Sequence, residues 1–214
     1  MKNTLFCFAV PGEARPFMKE SGARCPTAVL ITGMGRSNAR KALRRHLTAD
    51  KPDRVISCGF AGALDPTLKV GDIVFDAAQS PGLDRVIVEA GGRPARFCCV
   101  DTVVCKASEK RLLRDSTGAD AVDMESDALS EVCREANLEF AIVRVVSDCA
   151  DEDLPVDFNR FITAGDTIDF PRLVLWTAMR PAVMMKLLSW RRQLRVAANR
   201  LARVLIAIEL SGQS

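Results

Sequence analysis

The chain has 214 residues, 48% of them hydrophobic and 27% charged, with a net charge of +3, the balance of a soluble globular protein with a real core. That charge is too small to argue for a nucleic-acid partner, and one histidine with eight cysteines in no CxxC spacing argues against a metal site or a disulfide framework. Cys7, Cys58, Cys98, Cys99 and Cys105 fall in apolar runs, where a thiol behaves as a small hydrophobe, so the expected compartment is reducing, the cytoplasm.

The first apolar run, TLFCFAV (residues 4–10), is short and ends at Pro11, so it is expected to be a buried strand and not a signal peptide. GEARPFMKESG is expected to form a turn and a short helix. TAVLITG (27–33) reads as a second strand, and MGRSNARKALRRHL as a helix with Ala39, Ala42, Leu43 and Leu47 on one side. DRVISCG (53–59), GDIVFDA (71–77) and DRVIVEA (84–90) read as strands. ARFCCVDTVVCK reads as another, broken near Asp101. SEKRLLRDS reads as a helix capped by Ser108, GADAVDM as a short strand and ESDALSEVCREAN as a helix. LEFAIVRVVSD (138–148) is the most apolar strand, DEDLPVDF a loop and PRLVLWTAMRP a connector or short helix. A long helix is expected from Pro181 to about Ile208. No uninterrupted apolar run is long enough to span a bilayer.

Apolar strands interleaved with helices predict an α/β fold, a three-layer α/β/α sandwich with a mixed, mostly parallel central sheet. Its expected division is a catalytic domain over 1–165 and a basic helical extension over 166–214, packed on or beside it. Polar and glycine clusters recur at successive strand ends: VPGEAR, TGMGRSN, GFAGAL, VDMES and VSDCADED. Ligands of such sheets sit outside the carboxyl ends of the strands. Taken singly, GMG and GFAG are ordinary turns; their recurrence points to a site.

GMGRSNA (33–39), GFAGALDPTLKVGDIV (59–74), VDMES (122–126) and RVVSDCAD (144–151), in that order and spacing, resemble the nucleoside phosphorylase/nucleosidase superfamily. The resemblance covers roughly residues 5–161. Within the superfamily, the EAR after the first strand, the short middle and the basic tail look most like the hopanoid-associated phosphorylases.

The resemblance implies roles. Glu125 would accept hydrogen bonds from the two vicinal ribose hydroxyls, for which an acceptor-only carboxylate is suited. Met124 would pack on the sugar, Asp123 would lie nearby as a polar wall, and Asp127 would face water. Asp148 would protonate the departing purine at N7, oriented by Ser147, and Val103 would lie against the base. Burial beside Asp151 and Glu152 is the expected means of keeping a proton on Asp148. Glu13 would activate water and stabilise an oxocarbenium-like transition state. Gly12, Arg15, Gly35 and Arg36 are the candidates for holding phosphate at a helix start. The plainer readings are a first-turn acid for Glu13 and Glu125, a turn residue for Asp148, and solvated surface for Arg15 and Arg36.

The chain also departs from that pattern. Phe60 stands where hydrolytic and phosphorolytic members commonly carry serine, and Ser57 and Cys58 precede Gly59 where purine phosphorylases place an arginine. The expected activity is cleavage of the N-glycosidic bond of a purine nucleoside, by phosphate or by water. The resemblance implies a 5′-substituted adenosine such as adenosylhopane as substrate and adenine as product. No cofactor is expected beyond inorganic phosphate as a possible co-substrate, and the resemblance implies a homo-oligomer. A non-catalytic nucleoside-binding or membrane-associated relative is the alternative, and a redox- or metal-active cysteine protein a poorer one. No acidic residue lies between Asp169 and Glu209, whereas Arg191, Arg192, Arg195, Arg200 and Arg203 do. The final helix carries Leu187, Trp190, Leu194, Ala197, Leu201, Val204 and Ile208 at helical spacing. It is expected to dock on the sheet with a solvated basic face; the sharper alternative is peripheral contact with an anionic membrane.

Overall fold

Strands that are apolar on both faces need cover on both, and the sequence supplies helices for it. The computed structural model describes residues 3–22, 28–163, 165 and 167–212. Its strands are β1 (Thr4–Phe8), β2 (Ala28–Ile31), β3 (Arg54–Ala63), β4 (Ile73–Gln79), β5 (Gly92–Pro94), β6 (Phe97–Cys99), β7 (Ala121–Asp123) and β8 (Glu139–Asp148). Its helices are α1 (Pro11–Ser21), α2 (Arg36–Leu47), α3 (Leu83–Glu89), α4 (Ala107–Thr117), α5 (Ser126–Glu135), α6 (Phe170–Ala178) and α7 (Pro181–Ser211). Thr27 of the expected second strand and Asp166 at the expected domain boundary lie outside the described residues.

The strands form one sheet in the order β2-β1-β3-β8-β4-β5, with β7 pairing both β3 and β6. β1 is parallel to β2 and β3, β3 to β8, β4 to β5 and β6 to β7. β4 runs antiparallel to β8, and β7 antiparallel to the end of β3. The sheet is therefore mixed and mostly parallel. Alternation along β1 shows how the two faces are covered. Phe6 and Phe8 join a core with Phe17 of α1, Ile87 of α3 and Leu201 and Leu205 of α7. Leu5 and Cys7 join another with Leu43 of α2 and Leu129 and Val132 of α5. This is the three-layer α/β/α arrangement.

Four local expectations are corrected. DRVIVEA is helix α3, not a strand: Leu83 and Ile87, four apart, are both buried, and the glycine at 82 adopts a left-handed conformation just before the helix. β-branched residues made the run look extended. The expected strand around 95–106 is paired only over Phe97–Cys99, after which the chain is unpaired as far as α4. Helix α4 begins before Ser108, with Lys106 at its cap and Glu109 Oε2 accepting the Lys106 backbone N–H at 3.1 Å. The segment Gly59–Ala63, expected as a turn, continues β3 along β8, register for register, as far as a bulge at Ala61/Gly62.

The tail divides in two. The second half of α7 belongs to the main core through Ala197, Leu201, Val204, Leu205 and Ile208. Its first half and α6 cover a smaller cluster of Val156, Phe158, Phe161 and Leu173, with Trp176 and Trp190 against it. Among the described residues no helix is long and apolar enough to cross a membrane.

Candidate active site

A single arginine inside the apolar run of β8 organises the acids. Arg144 is 1% exposed. Its Nη2 and Nε donate to Asp123 Oδ2 at 2.7 and 3.0 Å, its Nη2 to Ser57 Oγ at 2.9 Å and its Nη1 to the Cys58 carbonyl at 2.6 Å. Glu125 Oε2 lies 3.8 Å from Nη2. Asp123 is thus an anchor for Arg144, bonded also by the Ser126 hydroxyl at 2.7 Å, and not a wall of the sugar site.

Two glutamates stand against this anchor. Glu125 follows β7 and takes the Gly35 backbone N–H on Oε1 at 2.9 Å. Glu13, in the first turn of α1, takes the Phe60 N–H on Oε1 at 3.0 Å and the Val10 N–H on Oε2 at 3.2 Å. Gly59 makes this convergence possible. Its φ is +141°, and a Cβ there would lie 2.7 Å from Arg144 Nη1 and 2.8 Å from Glu13 Oε1. Burial pushes Glu125 up to about 7, with Asp123 and Glu13 adding to the rise and Arg144 and the Gly35 N–H opposing it. Burial also raises Glu13, against Arg144 and the backbone N–H groups of Phe60, Val10 and Ala9. One guanidinium thus faces several buried carboxylates, and burial outweighs its pull at both Glu13 and Glu125.

The second cluster lies at the end of β8, three β3 residues further along, ~10 Å at about 3.3 Å per residue. The Asp148 carboxylate takes the Ser147 hydroxyl on Oδ1 in a short hydrogen bond, and the same hydroxyl lies 3.1 Å from the Ala61 carbonyl. Lys110 Nζ faces Asp148 Oδ2 at 2.6 Å. The expected like-charge neighbours, Asp151 and Glu152, are exposed, and a cation takes their place. Gly62 leaves room here: a Cβ would come within 3.3 Å of Asp148 Oδ2. Trp190 of α7 donates its indole N–H to the Ser147 carbonyl at 3.2 Å. Val103 packs in the cluster containing Phe158 and Trp190, and Met124 is half-buried between Asp123 and Glu125.

The expected anion site is not assembled. Arg36 spends its guanidinium on protein groups: Nε on Asp127 at 2.9 Å, Nη1 on Asp101 at 2.7 Å and Nη2 on the Cys99 carbonyl at 2.7 Å. Those contacts hold its pKa above the ordinary value. Asp127 is accordingly an ion-pair partner and does not simply face water. The Gly35 N–H is given to Glu125. Gly12 and Arg15 are exposed on α1. Arg144 and Lys110 are the two residues that the sequence reading missed. A lone cation in the apolar run FAIVRVVS was a usable sign of a buried counter-charge. Lys110 gave no such sign, because Leu112 and Leu113 look like the inward residues of α4, yet Leu112 is 69% exposed.

The fold is a three-layer α/β arrangement in which two clusters of buried acids lie along the β3–β8 strand pair. The family model described as the phosphorylase superfamily matches residues 7–75 and 75–168, and the chain belongs to that superfamily. Among solved structures, it is similar to futalosine hydrolase of Helicobacter pylori strain 26695, with TM-score 0.74, 16% identity and 98% of each chain covered. It is likewise similar to 5′-methylthioadenosine/S-adenosylhomocysteine nucleosidase from Helicobacter pylori with butyl-thio-DADMe-Immucillin-A, with TM-score 0.74, 16% identity and 99% of each chain covered. The corresponding nucleosidase from Neisseria meningitidis, in complex with methylthio-immucillin-A, gives TM-score 0.71 and 20% identity over 99% of this chain and 100% of that one.

The crowding of acids has a consequence for stability. Glu125 ordinarily titrates at 4.5 and is raised to about 7, so between those values the folded chain holds a proton that the unfolded chain has released. Stability from this group is therefore greatest at low pH and is lost as pH rises through that window, by up to about 3 kcal/mol at 1.36 kcal/mol per unit. Glu125→Gln is expected to raise the urea midpoint at about pH 8 and to leave it nearly unchanged at about pH 4.5. Equal midpoints for variant and wild type at the higher pH would contradict this account.

Proposed function

We propose that the chain cleaves the N-glycosidic bond of a purine nucleoside, with Glu125 on the ribose hydroxyls, Asp148 on the base and water as nucleophile. The observation that carries this reading is the placement of two carboxylate clusters on one strand pair, separated by about the length of a nucleoside. Support also comes from the membership in the phosphorylase superfamily and from the names of the similar structures.

Each step follows from the contacts present. Glu125, fixed by Gly35, offers its remaining lone pairs to two hydroxyls. Bond cleavage moves positive charge onto the sugar, beside Glu125 and Glu13, and negative charge onto the base, beside Asp148. Glu13, with its affinity for protons increased by burial, takes a proton from the attacking water. A proton from Asp148 converts the leaving base to its neutral form. Phosphate is the weaker nucleophile candidate here. Its expected holders Arg36 and Gly35 are engaged, and a phosphate dianion at this place would meet two buried carboxylates.

The base is read as adenine and the 5′ substituent as apolar. The apolar cluster of Val103, Phe158 and Trp190 beside Ser147 is read as the wall of the base, and support for an apolar 5′ substituent is the contact of Asn38 Nδ2 with the Gly165 carbonyl at 3.2 Å, which sets Gly165, shortly before α6, against the glycine turn at Gly33–Gly35. Next to it, α6 and the start of α7 expose Phe170, Val174, Leu175, Met179, Met185 and Leu188, with Leu175 71% and Met179 80% exposed. Arg172, Arg180, Lys186, Arg191 and Arg192 share this region, which contains no acid. A second copy of the chain would meet it with the same charge, whereas an anionic lipid surface complements it. The region is therefore read as a peripheral membrane contact, adjoining a site for a lipid-linked adenosine of the adenosylhopane kind.

Four measurements test these assignments. Adenine release from a series of 5′-alkylthioadenosines is expected to rise in kcat/KM with chain length. Asp148→Asn is expected to lower kcat by about 10²–10⁴-fold; wild-type turnover in that variant would remove Asp148 from the role. Release in phosphate-free buffer is expected to equal that in phosphate, and a rate proportional to phosphate would reassign the nucleophile. The protein is expected to sediment with phosphatidylglycerol vesicles at low salt, less so at high salt, and not with phosphatidylcholine alone. Failure to bind the anionic vesicles, or their loss of advantage over neutral ones, would refute the membrane contact.

A further inference from the structure

Lys110 is fully buried on α4, and its three ammonium protons meet three acceptors. They are Asp148 Oδ2 at 2.6 Å, the Cys149 carbonyl at 2.6 Å and the Glu152 carbonyl at 2.8 Å. Asp148 has its other oxygen on the Ser147 hydroxyl. A carboxylate that forms an ion pair with an ammonium is well placed to accept a hydrogen bond, but it does not itself carry the proton that a departing purine anion needs. The Lys110 amine fits both halves of the cycle. As ammonium it donates to all three acceptors. As neutral amine it keeps two donors for the two carbonyls and turns its lone pair to a proton on Asp148. No buried polar atom is left unpaired in either state.

We infer that Lys110 is the positioning residue and proton reserve for Asp148. The inference rests on the glycosidic reading of the site. When the bond to the base breaks, its electron pair stays on the base. Lys110 gives a proton to Asp148 along their shared hydrogen bond, and Asp148 delivers one to the base. The resulting neutral amine is reprotonated from solvent after the base leaves. The water that attacks the sugar gives its proton to Glu13, which releases it to solvent, so protons gained and lost by the protein balance over a turnover. The competing view is a purely mechanical one, in which Lys110 staples α4 to the loop after β8.

Several charges lie around the pair. Lys106, Glu109 and Arg114 belong to α4; Asp151, Glu152 and Asp153 belong to the loop after β8, and Lys110 is felt at Asp153. Arg114 is held by Asp65 and Asp120, and Lys106 by Asp153 at 2.9 Å. All of these, and Glu13 and Glu125, are common to the wild type and a Lys110 variant, so they cancel in a ratio of rates.

The test is the pH profile of kcat for Lys110→Gln and Lys110→Met, divided by that of the wild type, on the 5′-alkylthioadenosine that the wild type cleaves best. Gln keeps two donors for the carbonyls and serves if the Met variant does not fold. Without the reserve, Asp148 must take its proton from solvent. The ratio is then expected to fall with rising pH and to recover toward low pH. KM is expected to change little. A ratio that is lowered equally at every pH, or a wild-type rate in the Gln variant, overturns the inference while leaving the glycosidic reading intact. A wild type that releases no base from any purine nucleoside overturns that reading, and the proton reserve with it.

Discussion

The guanidinium of Arg144 is the contact on which the rest of the site depends. It is buried in the middle of the sheet and its donors reach two other strands, β3 and β7. Taking such a charge out of water is expensive unless every donor is matched. Asp123, Ser57 and the Cys58 carbonyl supply the match. Once placed, the same charge makes it tolerable to bury Glu13 and Glu125 within reach of one another. Buried acids crowded in this way, with Glu125 raised to about 7, are more often found at functional sites than in ordinary cores.

The second requirement is close approach of backbone. β3 passes between the acids without a side chain at Gly59 or Gly62, and each glycine makes space for a carboxylate. Phe60, between them, departs from the serine expected by family resemblance. Its backbone N–H nevertheless holds Glu13, and its ring packs toward the main core. The departure therefore changes the side-chain lining and leaves the main-chain anchor in place.

How much of this was legible in the sequence differs by feature, for physical reasons. The strands buried on both faces could be read, because unbroken apolar runs of that length have few other uses. Polar clusters at strand ends pointed to a site, and Glu13, Glu125 and Asp148 were nominated within it by their match to the motifs of the family that the chain resembles. α3 was misread because Val86, Ile87 and Val88 are β-branched; packing of Leu83 and Ile87 on the core outweighs that propensity. The protein partners of Arg36 could not be read for want of a third dimension. Asp101 and Asp127 lie far from it in sequence and take up its donors in the fold. Lys110 was invisible on the same grounds: its counter-charge lies on another element, and nothing in the periodicity of α4 marks a cation as inward.

Helix α7 has 31 residues and no break, a rod of ~46 Å at about 1.5 Å per residue. Its far end is keyed into the core by Leu201, Leu205 and Ile208, and part-way along it Trp190 holds the Ser147 carbonyl. Sliding or fraying of the rod must pull on the peptide that carries Asp148. Alignment of Asp148 and mechanical integrity of the tail are consequently one property. A lesion at the tail's surface can reach the site through the backbone alone, with no charge or ligand in between.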